Sequence, residues 1–320
     1  MLQRAPGVYP LAFTLVLSAC AELPPAPNGT TARIQQAAHT GDRVFTSLNV
    51  PGALSTIPTG INPAGDVVGR YTDASGKDHG FLWHQGSYST IDFPGDVFFT
   101  AAAGISPGGD IVGNFRFSSE GNAVRHGYRL SHGEATSIDY PGATFTNALG
   151  INPQGEVVGR YMMAGGPFHG YLLTAAGFTT IDAPGAVSTH AWQINPAGEI
   201  VGNFQGADGV FHVFLLSRGA FTSIDVPSAV ATAPFPLVVL GGINALGDIV
   251  SSYCDHNPCA LTSAGHVHGF LRTSSSGEFT SIDFPDAIGT IASGINPRGD
   301  IVGLYVDTNL KTHGFLWANP

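Results

Sequence analysis

Six histidines recur at one equivalent place each, at His79, His126, His169, His212, His268 and His313, a set whose imidazoles could bind a metal or move protons. Each of the first five is followed by an aspartate near the end of the next apolar segment, at Asp92, Asp139, Asp182, Asp225 and Asp283. Asn49 takes that place for His313 if the chain closes on itself. A catalytic acid or base is needed once rather than six times. A hydrogen bond between buried His and Asp, repeated in every copy, instead fastens strands, because a buried polar group without a partner costs about 1 to 3 kcal/mol. The pairs are therefore expected to be structural. The same holds for Asp66, Asp110, Glu156, Glu199, Asp248 and Asp300, which follow a turn glycine and are expected to cap it.

The elements that must position these groups are legible as a repeat. The phrase Gly-Ile-Asn-Pro-x-Gly-Asp-Val-Val-Gly begins, with variations, at Gly60, Gly104, Gly150, Gln193, Gly242 and Gly294. That period lies in the range of about 40 to 50 residues typical of propeller blades. Four strand-like pieces fill the first copy, over residues 59–62, 66–71, 79–83 and 88–92, separated by turn signals such as Asn62-Pro63-Ala64-Gly65. Pro94 then ends the sheet, since it cannot donate to a central ladder. Composition agrees, with 43 Gly and 22 Pro among 320 residues and only 11% charged. The last copy stops after His313-Gly314-Phe315-Leu316-Trp317 without a fourth strand, while residues 44–53 match that missing phrase. Residues 44–320 are thus expected to form an all-β, six-bladed β-propeller of four-stranded blades, closed by pairing an N-terminal strand with the C-terminal blade.

The motifs Gly-Ile-Asn-x-x-Gly-x-Val-Val-Gly and His-Gly-Phe-Leu-Trp resemble the HAF-type extracellular repeat, a bacterial family of exported proteins, across residues 44–320. The resemblance implies a β-propeller-like repeat protein outside the cytoplasm and implies no reaction. The chain departs from the motif most in the fourth copy, His212-Val213-Phe214. In His79-Gly80-Phe81-Leu82-Trp83 the alternation puts the aromatic residues on one face and leaves Gly80 to permit close approach by a neighbouring blade, so the rings are expected to be packing rather than a ligand box.

The amino terminus points the same way. Residues 1–20 run from Arg4 through an apolar stretch too short to span a bilayer and end in Leu17-Ser18-Ala19-Cys20, which resembles the lipobox of bacterial lipoproteins. This makes Cys20 the expected lipidation site and the cell envelope the expected location; an ordinary secretory signal cut after Ala21, giving an extracellular protein, is the alternative. Residues 21–43, rich in Pro, suit a disordered tether.

Symmetry breaks most in the fifth copy. The loop leading into it carries Phe235 and Leu237, and the loop between its second and third strands carries Cys254, Asp255, His256, Cys259 and His266. Both emerge on one face, as does a smaller insertion over residues 116–125 in the second copy. Phe235, Leu237, Asp255, His256 and His266 are the candidate ligand face, since shared positions mostly build the scaffold. In an exported chain Cys254 and Cys259 are expected to form a disulfide, with zinc held by Cys254, His256, Cys259 and His266 as the alternative.

No cofactor is expected. The formal charge is −10 and the only lysines are Lys77 and Lys311, which excludes a nucleic-acid partner. No motif of nucleophilic, metal-dependent or phosphate-transfer chemistry occurs. The favoured reading is a monomeric binding or scaffolding module for a protein or glycan ligand, touching the membrane only through its lipid. The alternatives are a propeller enzyme acting on glycans, as hydrolase or lyase, and a purely structural envelope protein.

Overall fold

The computed structural model describes residues 43–121, 123–227, 229–232, 241–256, 259 and 267–319, with the backbone alone for 35–36 and 231–232. No helix occurs among the described residues. Blade I comprises Ser55–Ile61, Val67–Thr72, Asp78–His84 and Ser87–Ile91. Blade II comprises Val97–Ile105, Ile111–Phe117, His126–Ser131 and Glu134–Ile138. Blade III follows with Phe145–Ile151, Val157–Met162, Phe168–Thr174 and Gly177–Ile181, and blade IV with Ser188–Ile194, Ile200–Gln205, Phe211–Ser217 and Ala220–Ile224. Each is an antiparallel four-stranded sheet in chain order. Blade V is built on Ile249–Cys254, Val267–Arg272 and Phe279–Ile282, with Ala231–Thr232 and Gly242–Ile243 both paired to the first of these. Blade VI takes Gly289–Ile295, Ile301–Val306 and Thr312–Ala318 from the carboxyl end.

Its fourth strand is Val44–Leu48 from the other end of the chain, antiparallel to Thr312–Ala318 with Phe45 opposite Trp317 and Leu48 opposite Gly314. Each blade packs on the next, and blade VI packs on blade I, so the ring is closed. Closure gives blade VI its outermost strand from the opposite chain end and leaves no seam between blades VI and I. Within the stretch expected to be a tether, Gln35–Gln36 pairs in parallel with Phe279–Ile282 and Arg43 donates to the Gly299 carbonyl at 2.8 Å.

The repeated phrase explains the repeated geometry. In Asn62-Pro63-Ala64-Gly65-Asp66, Gly65 takes φ +93°, and Asn62 Oδ1 accepts the Asp66 N–H while its amide donates to the Asp66 carboxylate at 2.9 Å. The asparagine has a second task, because Asn195, Asn244 and Asn296 each donate to the backbone carbonyl of the next such asparagine, ending at Asn62, each at 3.3 Å. Turn and ring closure are thus tied by one residue type. The innermost strand begins at Ser55, four residues before the segment expected from the sequence. Pro58, which argues against a strand there, stands beside a β-bulge at Thr59 and so removes a donor where the ladder is already interrupted. The bulge recurs at Ala103, Leu149, Trp192 and Ser293.

The core is a series of layers between blades. Phe81, Tyr128, Tyr171, Phe214, Phe270 and Phe315, one per blade, are at most 1% exposed. In every blade but V, where Ser251 takes the place, a glycine of the second strand makes room for them: a Cβ on Gly159 would stand 2.8 Å from the Tyr171 ring. Val213, the departure in the fourth copy, is fully buried in a cluster with Ile243, Ile249 and Tyr253 of blade V.

Candidate functional site

The six bulged or equivalent residues of the innermost strands, Thr59, Ala103, Leu149, Trp192, Gly241 and Ser293, ring a central cavity of about 470 Å³. A bulge re-aims the side chain it carries, which is why these residues face the axis. The cavity extends to the face that bears the starts of the first and third strands, where Phe98, Phe99, Arg125, Phe145 and Asp78 line it. Its volume falls in the range of about 300 to 1,000 Å³ typical of small-molecule sites.

One-residue differences between copies shape this mouth. Blade II has an extra residue in its first strand, producing a second bulge between Val97 and Phe99. Phe98 is thereby pushed out to 58% exposure, with the buried Arg116 guanidinium 4.1 Å from its ring centre. In blade III, Arg160 lies directly across the ladder from Asn147 and is held over Phe168 at 4.6 Å and Phe145 at 5.5 Å. Arg160 Nη1 donates to His190 Nδ1 at 3.3 Å, which leaves the proton of a neutral His190 on Nε2. Burial, and then the charge of Arg160, hold His190 well below the usual imidazole range. In blade I, Arg70 pairs with Asp78 at 3.2 Å.

Several buried polar atoms around the cavity have no protein partner. Asn147 Oδ1 and Trp192 Nε1, on residues that line it, are two of them, and His190 Nε2 and both side-chain polar atoms of Asn203 lie in the adjoining layer. An unmet buried donor or acceptor costs about 1 to 3 kcal/mol, so a cluster of them at one cavity is a feature that calls for a ligand or ordered water.

The fold is shared with solved structures that include a fungal lectin. AofleA from Arthrobotrys oligospora superposes with a TM-score of 0.54 at 12% identity, over 90% of this chain and 93% of its own. A lectin from Aleuria aurantia, described as a six-bladed β-propeller with a novel fucose recognition mode, gives 0.53 at 10% identity over 85% and 96%. No family model and no curated protein matches the chain. At these identities the likeness is one of fold.

The residues singled out in the sequence lie mostly away from the propeller's cavity. Phe235, Leu237, His266 and Cys20 fall outside the described residues. Asp255 and His256 are exposed, and Asp255 faces His268 Nε2 at 3.4 Å. The clamp expected between Cys254 and Cys259 is not formed in this structure: both are thiols, and a hydrogen bond from the Cys254 thiol lowers the pKa of Cys259. Cys254 closes a buried strand in its ladder with Val267, which fixes its side chain in the layer between blades V and VI. Among the described residues no three His, Cys, Asp or Glu are placed to hold a metal. Arg125 ends the blade II insertion and does line the cavity.

Asn147, Arg160, Trp192 and Phe98 escaped the sequence reading. A signal for Arg160 exists in the residue after the repeated Val-Val-Gly or its equivalent, which is Arg70, Asn114, Arg160, Asn203, Ser252 and Leu304 in turn. Variation in polarity at one strand position marks this cavity wall.

The repeated histidines form clasps. His79, His126, His169, His212 and His268 donate through Nδ1 to Asp92, Asp139, Asp182, Asp225 and Asp283 at 2.7 to 3.0 Å, and His313 Nδ1 lies 3.3 Å from Asn49 Oδ1. Each ring also stacks on the aromatic residue of the second strand, from Tyr71 to Tyr305, at 5.0 to 5.2 Å. In four blades Nε2 meets a second acid from the neighbouring loop, Asp73, Glu120, Asp255 or Asp307. Carboxylates only accept, so the pair of acids on each of His126 and His268 favours its imidazolium. Hydrogen bonds to Asp225 and Asp283 raise His212 and His268, and for His126 burial is outweighed by bonds to Glu120 and Asp139.

This sets a pH profile for stability. A raised histidine contributes fully below its unfolded pKa of about 6.5 and stops contributing as pH rises through its folded value. Asp73, lowered to about 2 chiefly by the Ser75 hydroxyl, and Asp307, lowered chiefly by the Lys311 N–H, contribute above their unfolded pKa of about 4 and fail only in strong acid. The thermal midpoint is therefore expected to peak between about pH 4.5 and 6.5 and to fall towards pH 8. In the triple variant His126→Gln, His212→Gln, His268→Gln the alkaline limb should flatten; an unchanged limb in calorimetry across this range would refute the clasp account.

Proposed function

We propose that this propeller is a binding module that takes a saccharide into its central cavity, and that it works outside the cytoplasm on a chain of HAF-type repeats anchored through a lipid on Cys20. The observation that carries the binding reading is the unmet hydrogen-bonding capacity of Asn147 Oδ1 and Trp192 Nε1 in the cavity wall. An acceptor and a donor on residues of one cavity wall suit hydroxyl groups, which both give and take hydrogen bonds. The exposed ring of Phe98 at the mouth offers an apolar face on which a sugar ring can lie. Proteins of the same fold recognise fucose. Catalysis on glycans is less well supported, because glycoside cleavage uses a pair of carboxylates and Asp78, already tied to Arg70, is the one acid among the described lining residues. The lipobox-like Leu17-Ser18-Ala19-Cys20 supports the anchor.

Calorimetric titration with a panel of mono- and oligosaccharides tests the reading. At least one is expected to bind, and Trp192→Phe, which keeps an aromatic ring but removes the N–H, should weaken it about threefold to tenfold at a temperature where the variant, whose buried site loses packing, is still fully folded. Failure of the whole panel, or indifference to Trp192→Phe, would overturn it. In the same cells Cys20→Ser should move the protein from the membrane to the soluble fraction; retention at the membrane would remove the anchor from the proposal.

A further inference from the structure

The central cavity has a mouth and a floor. Its described lining runs from Phe98, 58% exposed at the mouth, to Gln193, and includes none of the residues that follow Gly60, Gly104, Gly150, Gln193, Gly242 or Gly294 in the innermost strands. At those six positions the ring draws in. Five are glycine, and the backbones of neighbouring blades touch across them: a Cβ on Gly60 would stand 3.3 Å from the Gly104 Cα, one on Gly104 3.1 Å from the Gly150 Cα, and one on Gly294 3.2 Å from the Gly60 Cα. The residues two places further on, Asn62, Ser106, Asn152, Asn195, Asn244 and Asn296, are 1 to 4% exposed, so solvent hardly reaches them from either face.

Gln193 carries the one side chain among those six positions, and it lines the cavity. Its Oε1 accepts the Ile194 N–H at 3.3 Å, so the NH2 is the group it can offer a ligand. The wall above it holds two hydroxyls whose protons are taken by backbone carbonyls. Thr59 donates to Val68 and Ala102 at 3.2 and 3.1 Å, and Ser293 donates to Pro58 and Val302 at 2.7 and 3.0 Å. Towards a ligand each can then only accept, as Asn147 Oδ1 does, while Trp192 Nε1 can only donate.

We infer that the cavity takes the terminal residue of a glycan end-on, with Gln193 as the specificity residue at its floor, and rejects residues in the interior of a chain. This rests on the saccharide reading of the cavity given above. An interior residue is linked on two sides, and its chain would need a second exit, which the floor denies. Each glycosidic link also replaces a hydroxyl by an oxygen that can only accept. The acceptors of the wall, Thr59, Ser293 and Asn147, are therefore met best by the residue with the fewest links.

The test titrates the full chain with the free sugar, the linear tetrasaccharide and the long linear polymer of the glucose, galactose, mannose and fucose series, at equal residue concentration. In at least one series the polymer should bind at least about tenfold more weakly per residue than the free sugar, because only its ends can enter. In that series Gln193→Gly, which installs the residue of the other five copies, should weaken binding of the free sugar about threefold to tenfold, and so should Gln193→Met, which keeps the length and removes the amide. Equal affinity per residue for polymer and free sugar would sink end-on recognition and leave the saccharide reading standing. Indifference to both substitutions would sink the role of Gln193. Absence of binding in all four series would sink the inference, and failure of the wider saccharide panel as well would sink the saccharide reading with it.

Discussion

A chain lacking residues 1–48 is expected to lose most of its stability and to self-associate. The excised strand is the outer strand of the last blade, so its removal strips the ladder to Thr312–Ala318 and leaves those backbone groups open on a sheet edge. Two large side chains go with it. Leu48 is 4% exposed, and Phe45 lies among Phe284, Phe315 and Trp317 with ring centres 5.2 to 5.6 Å apart. Burial of a Leu or Phe side chain contributes about 1.5 to 3 kcal/mol, so their loss alone is about 3 to 6 kcal/mol, before any ladder hydrogen bond is counted. Domains hold about 5 to 15 kcal/mol in total. The truncated chain should melt at least 10 °C lower and elute from gel filtration as oligomers. A monomer with an unshifted midpoint would show that the ring does not depend on this closure.

Gly159→Ala should cost about 3 kcal/mol and damage the cavity together with the fold. The added Cβ would meet the Asn147 carbonyl oxygen at 1.9 Å, a backbone atom of the paired strand that cannot swing away, and the Tyr171 ring at 2.8 Å. Overpacking of this kind costs about 1 to 3 kcal/mol when side chains give way, and here the obstacle is backbone. Relief must come from parting Phe145–Ile151 and Val157–Met162, the two strands that present Asn147 and Arg160 to the cavity. A fall in midpoint of about 6 °C or more is expected, at about 2 °C or more per kcal/mol, along with weakened saccharide binding. Gly166→Ala is the control, because its Cβ would meet nothing closer than 3.6 Å and a surface change of this kind stays within about 0.5 kcal/mol. Equal midpoints for the two variants would mean that the strand spacing in blade III is not what the glycine protects.

The sequence by itself determined the scaffold. Turn glycines, the Asn-Pro-x-Gly-Asp phrase and the His-Gly-aromatic phrase act through local backbone geometry and neighbouring strands, and six copies of a local rule fix a blade, its period and the count of blades. The missing last strand and its match at residues 44–53 fixed the closure as well. Pairing of His79 with Asp92, and of each later copy, followed from repetition alone.

The site depended on the tertiary structure. Asn147, Arg160 and Trp192 sit in ordinary strands of two different blades, and nothing along the chain says that a bulge turns Trp192 to the axis or that Phe98 is expelled by one extra residue. Reading long loops as the place of function drew attention to Asp255, His256 and the cysteines, where loop length varies most. The cavity arises where six innermost strands converge, with blades I to III contributing most of its described lining, so its residues are scattered through strands whose local sequence pattern stays almost unbroken. Convergence about an axis is a property of the closed ring: Arg125, just before the third strand of blade II, and Arg160, in the second strand of blade III, come to line one cavity only because the two blades pack side by side.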